Sequence, residues 1–230
     1  MAVWQSRASS QAVTIAVNGV TLQGDLRLPP AAQGLVLFAH GSGSSRTSPR
    51  NRFVADVLVA AGVGTLLFDL LTEDEERIDL RTRALRFDIP LLTDRLAGAT
   101  AWVLGQEALA GLPLGYFGAS TGAAAALAAS CQRPEVLAVV SRGGRPDLAG
   151  SRLPEVTAAT LLIVGGEDHQ VIELNREALA QMRCEARIEI VPGATHLFEE
   201  PGTLAQAAEL AAAWFARHFP ASESMKRRSA

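Results

Sequence analysis

An α/β fold built on a mostly parallel central sheet is what this sequence predicts, and three observations predict it. Short, uninterrupted apolar runs recur along the chain, helical periodicities separate them, and an alternating apolar–polar hairpin opens the series. Uninterrupted apolar runs mark strands buried on both faces. Strand–helix alternation implies parallel pairing, with helices on both faces of the sheet.

The elements follow in chain order. Residues 12–17 and 20–28 alternate around Asn18-Gly19, a dipeptide suited to a tight antiparallel turn, and Pro29-Pro30 ends the hairpin. Central strands are expected at 34–39, 63–70, 112–117, 136–141 and 160–164. Residues 187–191 alternate more and fit an edge strand. Helical spacing appears at 52–61, 91–104, 173–182 and 204–219, while 121–129 is so rich in alanine and leucine that it reads as a buried helix. The charged stretch 73–88 fits no clean period and leaves a loop, a short helix or a flap open. The connection 141–159 is too short for a lid, so no large cap domain is expected. With no internal repeat or long linker, the reading is one domain over 12–219. An N-terminal extension (1–11) precedes it and a polar, flexible tail (220–230) follows.

Composition narrows the function classes. A chain of 230 residues, 48% of them hydrophobic, is large enough for one sizeable core. Its 21 basic and 24 acidic side chains are interspersed, which argues against a nucleic-acid footprint. The run Lys226-Arg227-Arg228 reads as a solvated terminus. Cys131 and Cys184 lack metal or redox spacing and are expected to be free, buried thiols in a reducing compartment. No apolar signal region opens the chain and no stretch reaches membrane-spanning length. A cytoplasmic protein that engages no membrane follows as the expectation, and a homo-oligomer is compatible with it.

Gly118-Ala-Ser-Thr-Gly122 matches G-x-S-x-G and lies between a strand and a helix. That setting is what a nucleophile needs: Ser120 must project from a sharp turn with positive φ. Side chains two positions away would strike neighbouring backbone, and Gly118 and Gly122 remove them. The helix beginning behind Ser120 favours developing negative charge.

A serine hydroxyl needs a base. Of the four histidines, His218 sits late in the last helix, His169 adjoins the best acid, and His40 belongs to a glycine-rich loop. His196, in Pro192-Gly-Ala-Thr-His196, follows the last strand, at the carboxyl edge where such sheets bind ligands. Asp168, after strand 160–164, is the acid expected to orient it, with Glu167 and Asp147 as rivals. The chain order Ser, Asp, His is then the one expected. A metal site from Glu167, Asp168 and His169 is disfavoured, because consecutive turn residues rarely converge on one ion. The oxyanion donors should be the N–H of Thr121 and that of Ser42, from His40-Gly-Ser-Gly-Ser-Ser45, with Gly41 as fallback and His40 bracing the loop.

Together these segments resemble the α/β-hydrolase superfamily, and within it the small, capless dienelactone-hydrolase-like enzymes, over roughly 12–219. The resemblance implies the α/β-hydrolase fold and triad roles for Ser120, Asp168 and His196, with no cofactor and no metal. One departure matters. Dienelactone hydrolases proper carry a cysteine nucleophile where this chain has Ser120, which disfavours dienoate lactones and favours general carboxylic esters. The expected activity is hydrolysis of small or soluble esters through an acyl-enzyme. Acyltransferase, thioesterase and peptidase chemistry share that intermediate, and a non-catalytic ligand-binding protein on the same scaffold is the other alternative. Arg46 and Arg142 are candidate substrate-binding residues, with Arg50, Arg145 and Arg86 nearby. Ion pairs with Asp88, Asp147 or Glu199 are the competing use for these arginines.

Overall fold

The structure is a computed structural model that describes residues 9–220. An eight-stranded sheet runs in the order β1-β2-β4-β3-β5-β6-β7-β8. The strands are β1 (Ser9–Val17), β2 (Val20–Leu28), β3 (Leu35–Ala39), β4 (Gly64–Phe68), β5 (Leu114–Ala119), β6 (Val136–Arg142), β7 (Ala159–Gly165) and β8 (Ala186–Val191). β1 and β2 pair antiparallel, β2 joins β4 antiparallel, and all later pairs are parallel. The helices are α1 (Pro49–Ala60), α2 (Glu73–Thr82), α3 (Ile89–Leu104), α4 (Thr121–Gln132), α5 (His169–Leu179) and α6 (Thr203–His218).

The apolar runs are explained by two cores. In β3, Leu35, Leu37 and Ala39 enter one core with α3 and α4, while Val36 and Phe38 enter the other with α1 and α6. A period of two that feeds two apolar layers leaves no polar position in the strand. β8 pairs only with β7 and is an edge strand; its apolar–polar alternation is in the sequence, while Val191 alone of its residues is buried. Asn18 and Gly19 both take positive φ, 46° and 82°, as a twist-matched hairpin turn requires.

Element starts differ from expectation where caps outweigh apolar spacing. β1 begins at Ser9, because Ser9, Ser10 and Gln11 continue the ladder opposite Leu28, Arg27 and Leu26 although they are exposed. Extension 1–11 therefore contributes its last residues to the sheet. The rest of it, and the tail with Lys226-Arg227-Arg228, lie outside the described residues. α1 starts at Pro49, with the Ser48 side chain accepting from the Asn51 N–H. α5 starts at His169, earlier than its apolar face suggests, and this puts Asp168 at the helix cap. Cys131 and Cys184 are free but only half-buried.

Segment 73–88 resolves into a helix, α2, followed by a short helical turn at Leu85–Phe87. Thr72 and Glu75 form a reciprocal capping box, and Arg83 ends the helix in the left-handed region. Its one buried residue, Asp79, is fully enclosed. The backbone N–H of Arg86 donates to it at 3.0 Å and the Arg86 Nε at 2.6 Å. Burial opposes the charge on Asp79, but the bonds from Arg86 prevail and hold its pKa below the ordinary carboxylate value. A depressed folded-state pKa stabilises the fold above the unfolded value of about 4, and that contribution is lost as pH falls through the folded value. Asp79→Asn should therefore melt below wild type at neutral pH and lose less of its melting temperature on acidification below about pH 4. Thermal melts across pH check this; parallel curves for the two proteins would refute it.

Candidate active site

The site is assembled at the carboxyl ends of β3, β5, β6, β7 and β8. Ser120 sits between β5 and α4 with φ 50° and ψ −121°. Two close approaches hold it there. A Cβ on Gly118 would lie 2.4 Å from the Ala123 Cα, and one on Gly122 would lie 2.1 Å from the Ala39 carbonyl oxygen. The loop after β3 is also close, though less tightly: a Cβ on Gly41 would stand 3.1 Å from the Ser120 Cβ. The Arg145 N–H donates to the Ser120 carbonyl at 3.1 Å, which fixes the elbow from the β6 side.

His196 Nδ1 donates to Asp168 Oδ2 at 2.7 Å. Asp168 can make this bond because its side chain does not cap α5, although the residue stands at the cap position. Among the described residues His196 Nε2 has no hydrogen-bond partner, leaving it free to accept from a hydroxyl. Ser120 and His196 line one cavity of about 200 Å³, together with Gly41, Ser42, Ser44, Ser48, Arg50, Asn51, Arg142 and Gly143. Of the rival acids, Asp147 takes two bonds from Arg145, and the Glu167 carboxylate makes no hydrogen bond to His196 among the described residues. The rival base His218 bonds the Trp214 carbonyl and Glu185.

Thr121 is the first residue of α4, where a helix N–H has no intrahelical acceptor. Ser42 borders the same cavity. Neither N–H bonds to another described backbone group, so both are available to an oxyanion. His40 braces their loop. It accepts from the Leu70 N–H at 3.0 Å through Nε2, and its Nδ1 donates to the Gly41 carbonyl at 3.0 Å. Burial lowers its pKa, which keeps the ring neutral in this bracing role.

The arginines divide. Arg46 is committed to Asp69, with Asp25 at 3.7 Å, and does not line the Ser120 cavity, so the structure gives it an ion-pair role rather than the substrate-binding one. Arg86 pairs with Asp79, not Asp88, and Arg145 with Asp147. Arg142 alone of the two substrate-binding candidates reaches the cavity.

Several supports were not read from sequence. Glu200 accepts from both the N–H and the hydroxyl of Thr195, and those bonds hold its carboxyl below the usual pKa. Gly165 lets β7 meet the His196 loop, since a Cβ there would lie 2.4 Å from the Ala194 carbonyl oxygen. Gly143 does the same from β6, 2.9 Å from the His196 carbonyl oxygen. The helix at 73–88 did carry a signal, Thr72-x-x-Glu75, in the sequence.

A doubly wound sheet with an N-terminal antiparallel hairpin, no large cap and a serine elbow defines an α/β-hydrolase fold. More narrowly, residues 53–220 match the dienelactone hydrolase family, and the chain belongs to that family. A crystal structure of a dienelactone hydrolase from Anabaena variabilis superposes with TM-score 0.92 and 58% identity, over 93% of this chain and all of that one. The esterase domain of a Rhodothermus marinus protein shares the fold with TM-score 0.73 and 21% identity, over 92% of this chain and all of that one. Two Mycobacterium tuberculosis proteins, from strains CDC 1551 and H37Rv, are 57% identical over 207 residues and are provisionally named phosphoribosyl transferases. The match covers 90% of this chain but 46% of theirs, so the chain spans about half the length of those relatives. Among the described residues, no helix is long and apolar enough to cross a membrane.

The elbow geometry makes a direct prediction. Gly122→Ala should lower folding stability by more than about 2 kcal/mol, because its methyl must displace backbone rather than a flexible side chain. Urea denaturation measures this, and a loss within about 0.5 kcal/mol would show that the elbow tolerates the methyl group.

Proposed function

We propose that this chain is a serine hydrolase of small or soluble carboxylic esters, acting through an acyl-enzyme. The observation that carries the reading is the shared cavity. A serine at a positive-φ elbow shares that cavity with an imidazole whose Nδ1 is already bound to a carboxylate at 2.7 Å. Ser120 Oγ attacks the acyl carbonyl while His196 Nε2 takes its proton. Asp168 holds the imidazole in the tautomer that can accept, and stabilises the imidazolium that results. The Thr121 and Ser42 N–H groups receive the oxyanion. His196 returns the proton to the leaving alcohol, and water then repeats the sequence on the acyl-enzyme.

Family membership supports hydrolysis. The capless architecture and a cavity of about 200 Å³ support small substrates rather than long acyl chains. The name of the mycobacterial relatives suggests a different chemistry. An elbow serine with an imidazole–carboxylate pair suits acyl transfer to water, not displacement at a sugar carbon, so we assign the transferase description to the part of those proteins outside the match.

Two measurements test the proposal. A fluorophosphonate probe should label the wild-type chain at Ser120 and leave Ser120→Ala unlabelled. Asp168→Asn should lower kcat by about three to four orders of magnitude on a chromogenic short-chain ester, with little change in KM. Unimpaired turnover by Ser120→Ala would remove the nucleophile. Faster product formation with added alcohol or amine than with water would convert the assignment to acyltransferase.

A further inference from the structure

Arg142 ends β6 beside the elbow, and its backbone carbonyl accepts from the Ser120 N–H at 3.4 Å. Its side chain is only 6% exposed. Nε and Nη1 are both shut off from solvent and have no hydrogen-bond partner among the described residues. Arg86 and Arg95 have carboxylate partners, Asp79 and Glu75, although the Arg95 Nε is also without a partner among the described residues, as is the Nε of the more exposed Arg133. Arg142 has the face of the Phe198 ring, 5.7 Å from its guanidinium carbon, and no carboxylate. Burial, and then the like charge of Arg50, lower its pKa to about 10, which leaves it cationic at neutral pH. A buried cation without a counter-ion is costly to keep unless something supplies the anion.

The cavity that Arg142 lines supplies further positive potential. Arg50 and Ser48 border it, at the start of the twelve-residue helix α1. Pro49 has no N–H, and the next N–H, that of Arg50, is one a helix leaves without an internal acceptor. The Arg50 guanidinium is 35% exposed and holds Glu199 at 3.1 Å, a surface pair weak enough to be exchanged for a ligand. Two guanidinium groups and a helix start therefore border the cavity into which Ser120 and His196 also face. A carboxylate has two coplanar oxygens and is satisfied by one guanidinium fork. Donors arriving from separate elements suit a tetrahedral anion with three free oxygens and close to two negative charges.

We propose that this cavity binds a phosphate group carried by the substrate, so that the ester attacked by Ser120 is a phosphorylated acyl ester held by Arg142, Arg50 and the start of α1. The phosphate is an anchor and stays intact; the bond broken is the carboxylic ester. The proposal rests on Ser120 being the nucleophile, but the anchor can be read without turnover. Inorganic phosphate should raise the melting temperature of the wild-type chain and slow its labelling by a fluorophosphonate probe. Acetate at matched ionic strength should do neither. Arg142→Met should abolish both effects, and Arg50→Met should weaken them. The preference in kcat/KM for a phosphorylated over a neutral acyl ester should fall by about 10- to 100-fold in Arg142→Met. Arg176→Met, at an exposed pair with Glu173 on α5, should leave phosphate response and preference as in wild type. Equal responses to phosphate and acetate, or a full phosphate response in both the Arg142 and Arg50 variants, would overturn the anchor. Labelling of Ser120 without any phosphate effect would sink the anchor alone. A phosphate shift dependent on Arg142, with no labelling of Ser120, would sustain the anchor and remove the nucleophile.

Discussion

Between the Ala39 carbonyl and the Cα of Gly122 there is no room for a methyl group, and the site is built around that contact. β3 and β5 are adjacent and parallel, so the loop leaving one and the helix leaving the other begin side by side. Their backbones can touch because residues 41, 118 and 122 are glycine. The touch turns Ser120 into positive φ and lifts its side chain off the sheet. It also brings the Ser42 loop to the start of α4, where neither the Ser42 nor the Thr121 N–H bonds to another described backbone group. Strain at Ser120 persists because the surrounding packing over-determines it.

A second convergence is looser and rests on polar contacts. β7 and β8 deliver Asp168 and His196 from adjacent strands, and their imidazole–carboxylate bond spans 28 positions of chain. Glu200 clamps the loop from one side, while Gly143 and Gly165 admit backbone from the other. Charge is distributed unevenly around this frame. Arg46, Arg86 and Arg145 are neutralised by carboxylates and serve the scaffold, while among the described residues Arg142 has none beside the serine. The pairing of the first three is structural; the isolation of the fourth is what gives the cavity its sign.

Much of the fold was legible in the chain. The uninterrupted runs at β3, β5 and β7 read as two-sided strands because both neighbouring layers are apolar. Boundaries were less legible at β1, where exposed Ser9, Ser10 and Gln11 are held by ladder bonds rather than burial. From sequence the helix α2 stays undecided among a loop, a short helix and a flap, for a related reason. It buries a single residue, so no apolar stripe announces it, and its capping box was the local signal.

By itself, then, the sequence determined the layer order, the elbow and the short set of candidate polar residues at strand ends. These depend on local spacing and on which residues leave space for backbone. Tertiary structure alone decided that Asp168 rather than its rivals meets His196, that Arg142 stands beside Ser120 without a carboxylate among the described residues, and how the 73–88 segment folds. Each of those outcomes depends on side chains far apart in the chain becoming neighbours, and a pairing of that kind has no period along the sequence to reveal it.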